Sequence, residues 1–468
     1  MQTSQSAHGS TRRRVCVDQI MDNAGFVGLP LVVMLCAVAV LILDGFDIQI
    51  IGFVAPALAT DFGITRGELA PVLGASLVGM AVGALGVGPV GDRWGRRPAL
   101  LASTALFGVA TLLGATSDSV DALAGWRFIT GIGLGGALPN ATALLAEFAP
   151  PRWRNQAIAA AIVGVPIGGM FGSSIAAELI VDSGWRALFV VGGVLPLVAA
   201  AVMYFVVPES PRYLAVRGQQ TARLASLLNR LAPGYNYTAD DRFVLDAVPV
   251  RSTGSLALVF SSVYLRDTLG SWMAFATNVF AVYSFFSWSP VVLTSLGLDL
   301  SSAVRGSFYF NLAGIFGALV NAWLIARFGS RLPLIGMCLF GVAALSALVW
   351  LTRSAVADSG ATAIDDTALM LGVAGAGLAI NAVQIGMYAV VANVYPTACR
   401  SSGVGWALGF GRVGGIVSAF AGGMLLTQAG GAGFFGGMAA ALSMTFVAVA
   451  LIGRHIPPGR APISIAAK

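Results

Sequence analysis

The sequence predicts an all-α polytopic membrane protein, with twelve transmembrane helices arranged as two pseudo-symmetric six-helix halves. Of its 468 residues, 57% are hydrophobic and only 10% are charged, whereas roughly a quarter of the residues of a soluble protein are charged. Apolar windows of about 20 residues, the length needed to cross a bilayer, recur along most of the chain. Features of the first half also recur in the second half, which indicates an internal repeat.

Twelve apolar windows mark the predicted spans, and the longest polar stretch separates the sixth from the seventh. The spans are predicted at 28–50, 68–90, 98–116, 122–147, 155–178, 186–207, 268–294, 304–326, 332–352, 367–393, 401–426 and 431–453. The resulting division is an N-terminal tail at 1–27, a first half at 28–207, a central loop at 208–267, a second half at 268–453 and a C-terminal tail at 454–468.

The distribution of arginine predicts that both tails are cytoplasmic, because cytoplasmic loops of membrane proteins carry an excess of Lys and Arg. With the N-terminus inside, 20 of the 26 arginines fall in cytoplasmic segments and four in outside loops. The remaining two, Arg127 and Arg412, lie within spans. Membrane topology therefore explains the net charge of +6. We expect a lipid bilayer, the plasma (inner) membrane, as the partner of this basic chain, and no nucleic acid.

Matching loops indicate that the two halves are homologous. The loop "GDRWGRRP" (91–98) corresponds to "ARFGSRLP" (326–333), and Asp92 and Ala326 in these loops are 234 residues apart. The loop "PPRWR" (150–154) corresponds to "PTACR" (396–400) with an offset of 246, which also carries Gly168 onto Gly414. Such repeats are typical of secondary transporters, whose substrate site lies near the midplane between the repeats.

Several motifs resemble those of the major facilitator superfamily. The segment "GPVGDRWGRR" (88–97) resembles its signature loop between spans two and three, and "PESPRYL" (208–214) is similar to the end of span six in several of its families. "DGFD" (44–47) and "YPTACRSSGVGWALGFGRVGG" (395–415) resemble the aromatic acid:proton symporters, which import benzoate-type and hydroxybenzoate-type acids. Sialate porters carry a similar first-helix motif. The resemblance implies the major facilitator fold and proton-coupled transport.

Asp44 and Asp47 stand three residues apart in the first span and therefore share one face of a helix. Ionised groups are costly in hydrocarbon, so intramembrane carboxylates are functional by default. A buried carboxyl group beside a second one is suited to bind and release a proton. We predict that this pair couples transport to protons. A structural alternative, in which a carboxylate pairs with a buried arginine only to hold helices together, is also open.

The two arginines within spans are candidates to bind the carboxylate of a substrate, because guanidinium holds carboxylate through two parallel hydrogen bonds. Arg127 lies near the outer end of span four, at a depth comparable to that of Asp47, so we expect an Arg127–carboxylate pair. Arg412 lies close to the midplane of span eleven. For both residues, a purely structural tether between helices is the alternative.

Charged residues at the inner ends of the spans predict a gating network. Asp92 is an acid in an otherwise basic inner loop, and its counterpart in the second half is Ala326, so the two gates are expected to differ. The resemblance implies charge pairing that holds the outward-open state. Solvated loop charges are the alternative for Arg93. The residues assigned to the network are Asp92, Arg93, Arg96, Glu147 and Arg400.

Polar and aromatic side chains of the second half can contact an aromatic ring and its hydroxyl groups. Asn381, Gln384 and Tyr388 recur at helical spacing and share one face of span ten. We interpret Trp288, near the end of span seven, as part of the interfacial aromatic belt. The side chains assigned to the substrate, besides the two arginines, are Asn278, Tyr283, Asn311, Asn381, Gln384 and Tyr388.

Several classes of protein are excluded by what the chain lacks. It contains no GxxxxGK[ST] loop for ATP, its histidines His8 and His455 lie in the tails, and its four cysteines show no paired spacing. No catalytic site, metal site, disulfide or cofactor is therefore predicted.

The sequence thus predicts a proton-coupled symporter that imports small aromatic carboxylates such as hydroxybenzoates. It is expected to act as a monomer with no obligatory protein partner. The first alternative is a porter for another organic acid or a sialate-like sugar acid. The second is a membrane receptor without transport activity.

Overall fold

The computed structural model describes residues 13–23, 25–218, 220–232, 234–245, 258–357, 365–395 and 399–458. Apolar runs form long helices, because a helix satisfies every backbone N–H and C=O group within its own segment, as the interior of a membrane requires. The helices are α1 (Val17–Asn23), α2 (Leu29–Asp61), α3 (Ala70–Trp94), α4 (Arg96–Gly114), α5 (Val120–Phe148), α6 (Pro151–Ser183), α7 (Trp185–Val206), α8 (Pro211–Arg217), α9 (Thr221–Leu231), α10 (Leu265–Ser295), α11 (Leu300–Phe328), α12 (Arg331–Ala357), α13 (Asp366–Val394) and α14 (Arg400–Leu451).

Among the described residues, eleven helices are long and apolar enough to cross a membrane. The last of them, α14, has non-helical backbone angles at Ala429 and Gly430, where Gly430 has φ 60°. Since a left-handed residue ends a helix, α14 supplies two spans joined by a tight turn. All twelve predicted spans are therefore present. Several are longer than predicted, and α2 has 33 residues, about 50 Å at 1.5 Å per residue.

The predicted repeat is visible in how the helices cross. A Cβ atom at Gly168 of α6 would overlap the carbonyl oxygen of Ile42 in α2, and one at Gly414 of α14 would overlap the carbonyl oxygen of Ala276 in α10. Gly414 follows Gly168 by 246 residues, and Ala276 follows Ile42 by 234, the two offsets found in the loops. Equivalent glycines thus allow equivalent close crossings in the two halves.

Short elements cover one end of the bundle, which we call the tail face. They are α1, α8, α9 and a two-stranded parallel sheet, in which β1 (Arg14–Cys16) pairs with β2 (Arg242–Val244). The carboxylate of Asp18 in α1 and the guanidinium of Arg212 in α8 form an ion pair at 2.8 Å. The N-terminal segment and the central loop are therefore joined. The sequence pattern does not predict these elements.

Two close contacts between the halves lie toward the opposite end, which we call the far face. Gly52, in the last third of α2, packs against the carbonyl oxygen of Phe286 in α10. Gly74, in the first turns of α3, packs against the ring of Phe420 in α14. Because α2 runs from the tail face to the far face and α3 runs back, both contacts close the bundle at the far face.

Candidate functional site

A buried ion pair joins α2 to α5. Arg127 Nη1 donates to Asp47 Oδ2 at 2.9 Å, and Nη2 donates to the backbone oxygen of Asp47 at 3.0 Å and to Ser76 Oγ at 3.4 Å. The other carboxylate oxygen accepts a 2.6 Å hydrogen bond from Thr111 Oγ1. Both charged side chains have 0% exposure. The expected Arg127–carboxylate pair is therefore present, with both oxygens of Asp47 bonded.

Asp44 lies one helical turn from this pair and differs from it in its contacts. Its side chain is fully buried, and neither carboxylate oxygen has a hydrogen-bond partner among the described residues. Its neighbour Gly45 packs directly against the backbone of Val165 in α6. Leaving a buried polar group without a partner costs about 1–3 kcal/mol, and more for a charged group. Asp44 is therefore the carboxyl group that is open to a proton or a ligand.

Arg412 on α14 faces the same polar centre. Its guanidinium makes electrostatic interactions with Asp44 and with the hydroxyl groups of Tyr283 and Tyr388. It is partly exposed, and it forms no hydrogen bond or ion pair within the part of the chain that the structure describes. A guanidinium with five unused donors beside an unpaired carboxyl group is suited to hold an anionic ligand.

A neutral network lies next to Arg412 in the second half. Asn278 Nδ2 on α10 donates to Gln384 Oε1 on α13 at 2.7 Å and to the carbonyl oxygen of Ile380 at 3.3 Å. Tyr388 follows Gln384 by four residues and therefore lies beside it on the same face of α13. The ring of Tyr388 packs edge-on against Phe275, with centroids 5.3 Å apart. The structure thus joins Asn278, Gln384 and Tyr388 into one amide and phenol surface.

Two other predicted amides make different contacts. Asn311 on α11 bonds Gln49 on α2, with Asn311 Nδ2 donating to Gln49 Oε1 at 2.9 Å. This contact crosses between the halves, and Gln49 was not identified from the sequence. Asn381 donates at 3.0 Å to the carbonyl oxygen of Gly377 in its own helix. Asn381 does not join the network formed by Gln384, although the two residues share a helix face.

The charged cluster at the tail face is only partly described. Arg96 Nε and Glu147 Oε1 lie 3.7 Å apart. Arg93 is exposed, and its backbone oxygen accepts a hydrogen bond from the Tyr213 hydroxyl at 3.1 Å. The structure therefore brings Arg96 and Glu147 together and leaves the side chain of Arg93 outside the pair. The side chains of the two remaining gating residues, Asp92 and Arg400, lie outside the described residues.

Glu209 is a further charged residue at this face that the sequence analysis did not assign. Its Oε1 atom accepts hydrogen bonds from the backbone N–H of Arg97 at 3.2 Å and of Ser210 at 2.8 Å. The carboxylate thus satisfies the free N–H group of Arg97 in the first turn of α4, where a negative charge is favourable. In the sequence, the position of Glu209 in the motif "PESPRYL" is the feature that could have indicated this role.

The interpretation of Trp288 as an interfacial residue is wrong. Trp288 has 0% exposure, its Nε1 donates to the carbonyl oxygen of Ala419 at 3.1 Å, and its ring fills the space beside Gly422 and Gly423. The small residues of α14 create a recess for the indole, so Trp288 holds α10 against α14. Position near a span end does not reveal this contact.

Among the described residues, no group of three or more His, Cys, Asp or Glu side chains is placed to hold a metal ion. The site therefore consists of an ion pair, an unpaired carboxyl group, a guanidinium and a neutral amide network. These groups surround the centre of a two-fold repeated helical bundle. This arrangement is typical of secondary transporters, a class of multi-pass membrane proteins.

The chain belongs to the Major Facilitator Superfamily, whose family model matches residues 37–385. It is 38% identical to the 4-hydroxybenzoate transporter PcaK of Pseudomonas aeruginosa, over 84% of this chain and 86% of that relative. It is 34% identical to the gallate transporter of Pseudomonas putida, over 87% of this chain and 88% of that relative. The predicted superfamily and the prediction of a transporter rather than an enzyme are confirmed by these similarities.

The fold is similar to that of a solved transporter. The similar structure is the inward-open conformation of the xylose transporter XylE from E. coli. The matched region covers 89% of this chain and 95% of the XylE chain, with a TM-score of 0.70 and 17% sequence identity. Identity at this level supports the fold alone. The predicted all-α fold with two six-helix halves is therefore confirmed.

Proposed function

We propose that this protein imports small aromatic carboxylates together with protons, by alternating access. The observation that carries the proposal is the pair of unused groups at the centre of the bundle. Asp44 lacks a hydrogen-bond partner and Arg412 lacks an acceptor among the described residues, and the two interact electrostatically. A proton can neutralise the first group, and the carboxylate of a substrate can neutralise the second.

Charge balance gives a physical reason for coupling. In the empty site, the negative Asp44 and the positive Arg412 sum to zero. With a proton on Asp44 and an anion on Arg412, the sum is again zero. A site that holds only one of the two ligands has a net charge, and enclosing an uncompensated ion costs several kcal/mol. The empty and fully loaded states therefore close more readily than either half-loaded state.

The residues around Arg412 favour an aromatic acid. Tyr283 packs edge-on against Phe286, with centroids 5.8 Å apart, and Tyr388 packs against Phe275. Aromatic side chains stack with a ring, while the amides of Asn278 and Gln384 offer hydrogen bonds to its hydroxyl groups. The relatives named above are described as transporters of 4-hydroxybenzoate and gallate, which are aromatic carboxylates with ring hydroxyls. This similarity supports the same substrate class.

Topology follows from the arginine distribution. We place the tail face in the cytoplasm and the membrane as the plasma (inner) membrane. The proposed division of the chain is unchanged, with cytoplasmic segments 1–27, 208–267 and 454–468 and membrane halves 28–207 and 268–453. The contacts of Gly52 and Gly74 between the halves then lie on the outer side of the membrane. We propose that one copy of the chain forms the complete transport unit.

Uptake into proteoliposomes tests the proposal. With an acidic exterior and a neutral interior, the wild type should accumulate labelled 4-hydroxybenzoate above the external concentration, and a protonophore should abolish this. Asp44→Asn should still bind and exchange the acid but should not concentrate it, because the amide cannot take up a proton. The matched control is Asp240→Asn, an exposed acid of the central loop, which should accumulate as the wild type does.

Three results would contradict the proposal in different ways. Normal accumulation by Asp44→Asn would show that Asp44 does not carry the coupled proton. Accumulation of sialate in place of aromatic acids would assign the site to sugar acids. Binding without exchange or accumulation of any acid would indicate a membrane receptor without transport activity.

A further inference from the structure

A second charged pocket lies at the tail face, away from the transport site. Its volume is about 320 Å³, and it lies between the end of α7, the start of α4 and α9. Three guanidinium groups line it, those of Arg97, Arg223 and Arg230. We call it the arginine pocket. None of its residues belongs to the polar centre of the bundle.

The amphipathic helix α9 supplies two of the three arginines. Its buried positions include Leu224, Leu228 and Leu231, which pack inward. Arg223 and Arg230 are seven residues apart and therefore lie on one face of the helix, which is exposed. Apolar burial thus fixes the rotation of α9 so that both arginines point into the pocket.

Arg97, in the first turn of α4, supplies the opposite wall. Its guanidinium donates to the backbone oxygen of Tyr204 and lies over the Tyr204 ring, 5.2 Å from the centroid. These contacts hold the side chain in place without neutralising its charge. Its Nε atom is buried and has no hydrogen-bond partner among the described residues, so one donor at the wall is unused.

The positive charge of the pocket is not cancelled. Arg223 Nη1 donates to the neutral Gln220 side chain at 3.2 Å. Arg230 forms no hydrogen bond or ion pair within the described ranges. The one carboxylate in the wall, Glu209, directs an oxygen to two backbone N–H groups. Three guanidinium groups and one carboxylate therefore leave an excess of positive charge that favours an anion.

The outer rim of the pocket is apolar and faces lipid. Phe205 lines the pocket and is 83% exposed, and the neighbouring Tyr204 is 60% exposed, at the end of a membrane-spanning helix. Aromatic residues at helix ends lie at the level of lipid headgroups. Basic pockets beside spans on the cytoplasmic side are suited to bind anionic headgroups. A soluble phosphate needs the arginines and makes no use of the apolar rim.

We propose that the arginine pocket binds the phosphate of an anionic phospholipid, whose acyl chains lie along α7. Guanidinium holds phosphate oxygens through paired hydrogen bonds. Such a lipid ties the first turn of α4, the end of α7 and α9 together within the first half. This inference does not depend on which solute the protein carries.

Native mass spectrometry of the purified full-length protein tests the proposal. The probes are dioleoyl phosphatidylglycerol and dioleoyl phosphatidylcholine, added separately to delipidated protein. The wild type should bind the anionic lipid at least about ten-fold more tightly than the neutral one. The double variant Arg223→Gln/Arg230→Gln should lose about ten-fold or more in affinity for the anionic lipid. Both positions are exposed on α9, so the variant keeps the buried leucines.

The matched control is Arg242→Gln, an exposed arginine of β2 at the same face that does not line the pocket. It should bind phosphatidylglycerol as the wild type does. Equal binding of both lipids, or unchanged binding by the double variant, would overturn the proposal. In a separate arm, sn-glycerol 3-phosphate is added without lipid. If it protects the wild type from thermal unfolding as well as phosphatidylglycerol does, the lipid assignment is overturned in favour of a soluble phosphate.

Discussion

The first helices of the two halves, α2 and α10, occupy equivalent places but have different chemistry. With the offset of 234 residues, Asp44 corresponds to Asn278 and Gln49 to Tyr283. Asp44 is a buried carboxyl group without a hydrogen-bond partner in the described structure, whereas Asn278 bonds the side chain of Gln384. At these positions, α2 thus carries a carboxyl group where α10 carries an amide.

The difference indicates that the two halves divide the work. A carboxyl group can gain and lose a proton, but an amide cannot, so we propose that the first half binds the proton. In the proposed function, the amides, phenols and aromatic rings of the second half, with Arg412, provide shape and hydrogen bonds for a solute. Under this proposal, equivalent backbones carry two separate functions, one on each side of the central site.

The largest expected effect comes from breaking the ion pair of the first half. Arg127→Gln leaves the buried carboxylate of Asp47 without its guanidinium. Removing one partner of a buried ion pair costs about 3–5 kcal/mol. We expect the free energy of unfolding to fall by this amount, measured by denaturation of the purified protein in mixed micelles.

The double variant Arg127→Gln/Asp47→Asn is the control. It removes both charges and should recover most of the lost stability without restoring proton-driven uptake. If Arg127→Gln alone is as stable as the wild type, the pair does not hold α2 to α5.

The Arg127–Asp47 contact and the helix repeat could be predicted because they depend on sequence spacing. Equal depth in two spans placed these charges together, and constant offsets between loops located equivalent crossings. In contrast, the bond between Gln49 and Asn311 spans 262 residues and depends on how helices rotate about their axes. Weak hydrophobic periodicity in membrane helices leaves that rotation undetermined, since lipid and protein are both apolar.

Two further features were missed for related physical reasons. β1 and β2 have three residues each, too few to give an alternating pattern, and they meet only because the central loop folds back. Trp288 was misplaced because an indole is equally suited to a lipid interface and to a recess lined by small residues. The recess at Gly422 exists only once α14 is packed.

The second largest effect should arise in the second half, at Arg412. Arg412→Lys keeps the positive charge but loses the planar fork that binds a carboxylate. Losing a hydrogen bond to a charged group costs about 1.5–3 kcal/mol, or roughly ten- to a hundred-fold in affinity. Isothermal titration calorimetry with 4-hydroxybenzoate should show this loss.

The amide of the same acid provides the control for charge. It should bind the wild type weakly and should distinguish little between wild type and Arg412→Ala. If Arg412→Ala binds the acid as tightly as the wild type, Arg412 is structural, and Arg127 becomes the leading candidate for the carboxylate.

A smaller effect is expected at Asn278. It tests whether the second half affects solute binding without affecting proton coupling. Asn278→Ala removes the 2.7 Å hydrogen bond to Gln384, and a net loss of about 1 kcal/mol is typical for such a bond. We expect the affinity for hydroxylated acids to fall by up to about ten-fold, while the pH gradient still drives accumulation to the same ratio. Measuring binding and accumulation on one preparation separates the two. If Asn278→Ala lost proton-driven accumulation while its affinity stayed unchanged, the second half would take part in proton coupling.

The loops that follow the second span of each half extend the comparison to the tail face. Gly95 and Gly329, 234 residues apart, have φ values of 113° and 76° and begin the turns before α4 and α12. In the first half, the carboxylate of Glu209 bonds this turn through the N–H of Arg97. In the second half, the residue 246 positions later is His455, which lies 3.1 Å from Ser330 Oγ through Nδ1. A carboxylate and an imidazole thus hold equivalent turns.

The smallest expected effect is therefore a pH dependence confined to the second half. Burial is the largest effect and lowers the pKa of His455. The carbonyl oxygen of Val449 opposes it, the positive charge of Arg331 adds to it, and the backbone of Ile452 and Asp267 oppose it more weakly. Because the folded state favours neutral imidazole, its stabilisation is complete above the ordinary pKa of about 6.5 and is lost as pH falls through the lowered value. Acidification from pH 7.5 to 5 should increase hydrogen exchange of residues 329–334 and 452–458 by about two-fold beyond the intrinsic change in rate. His455→Gln should remove that increase. The turn held by Glu209 provides the internal reference, since a histidine is absent there. An equal increase at both turns, or an unchanged response in His455→Gln, would show that the imidazole does not set the pH response of the second half.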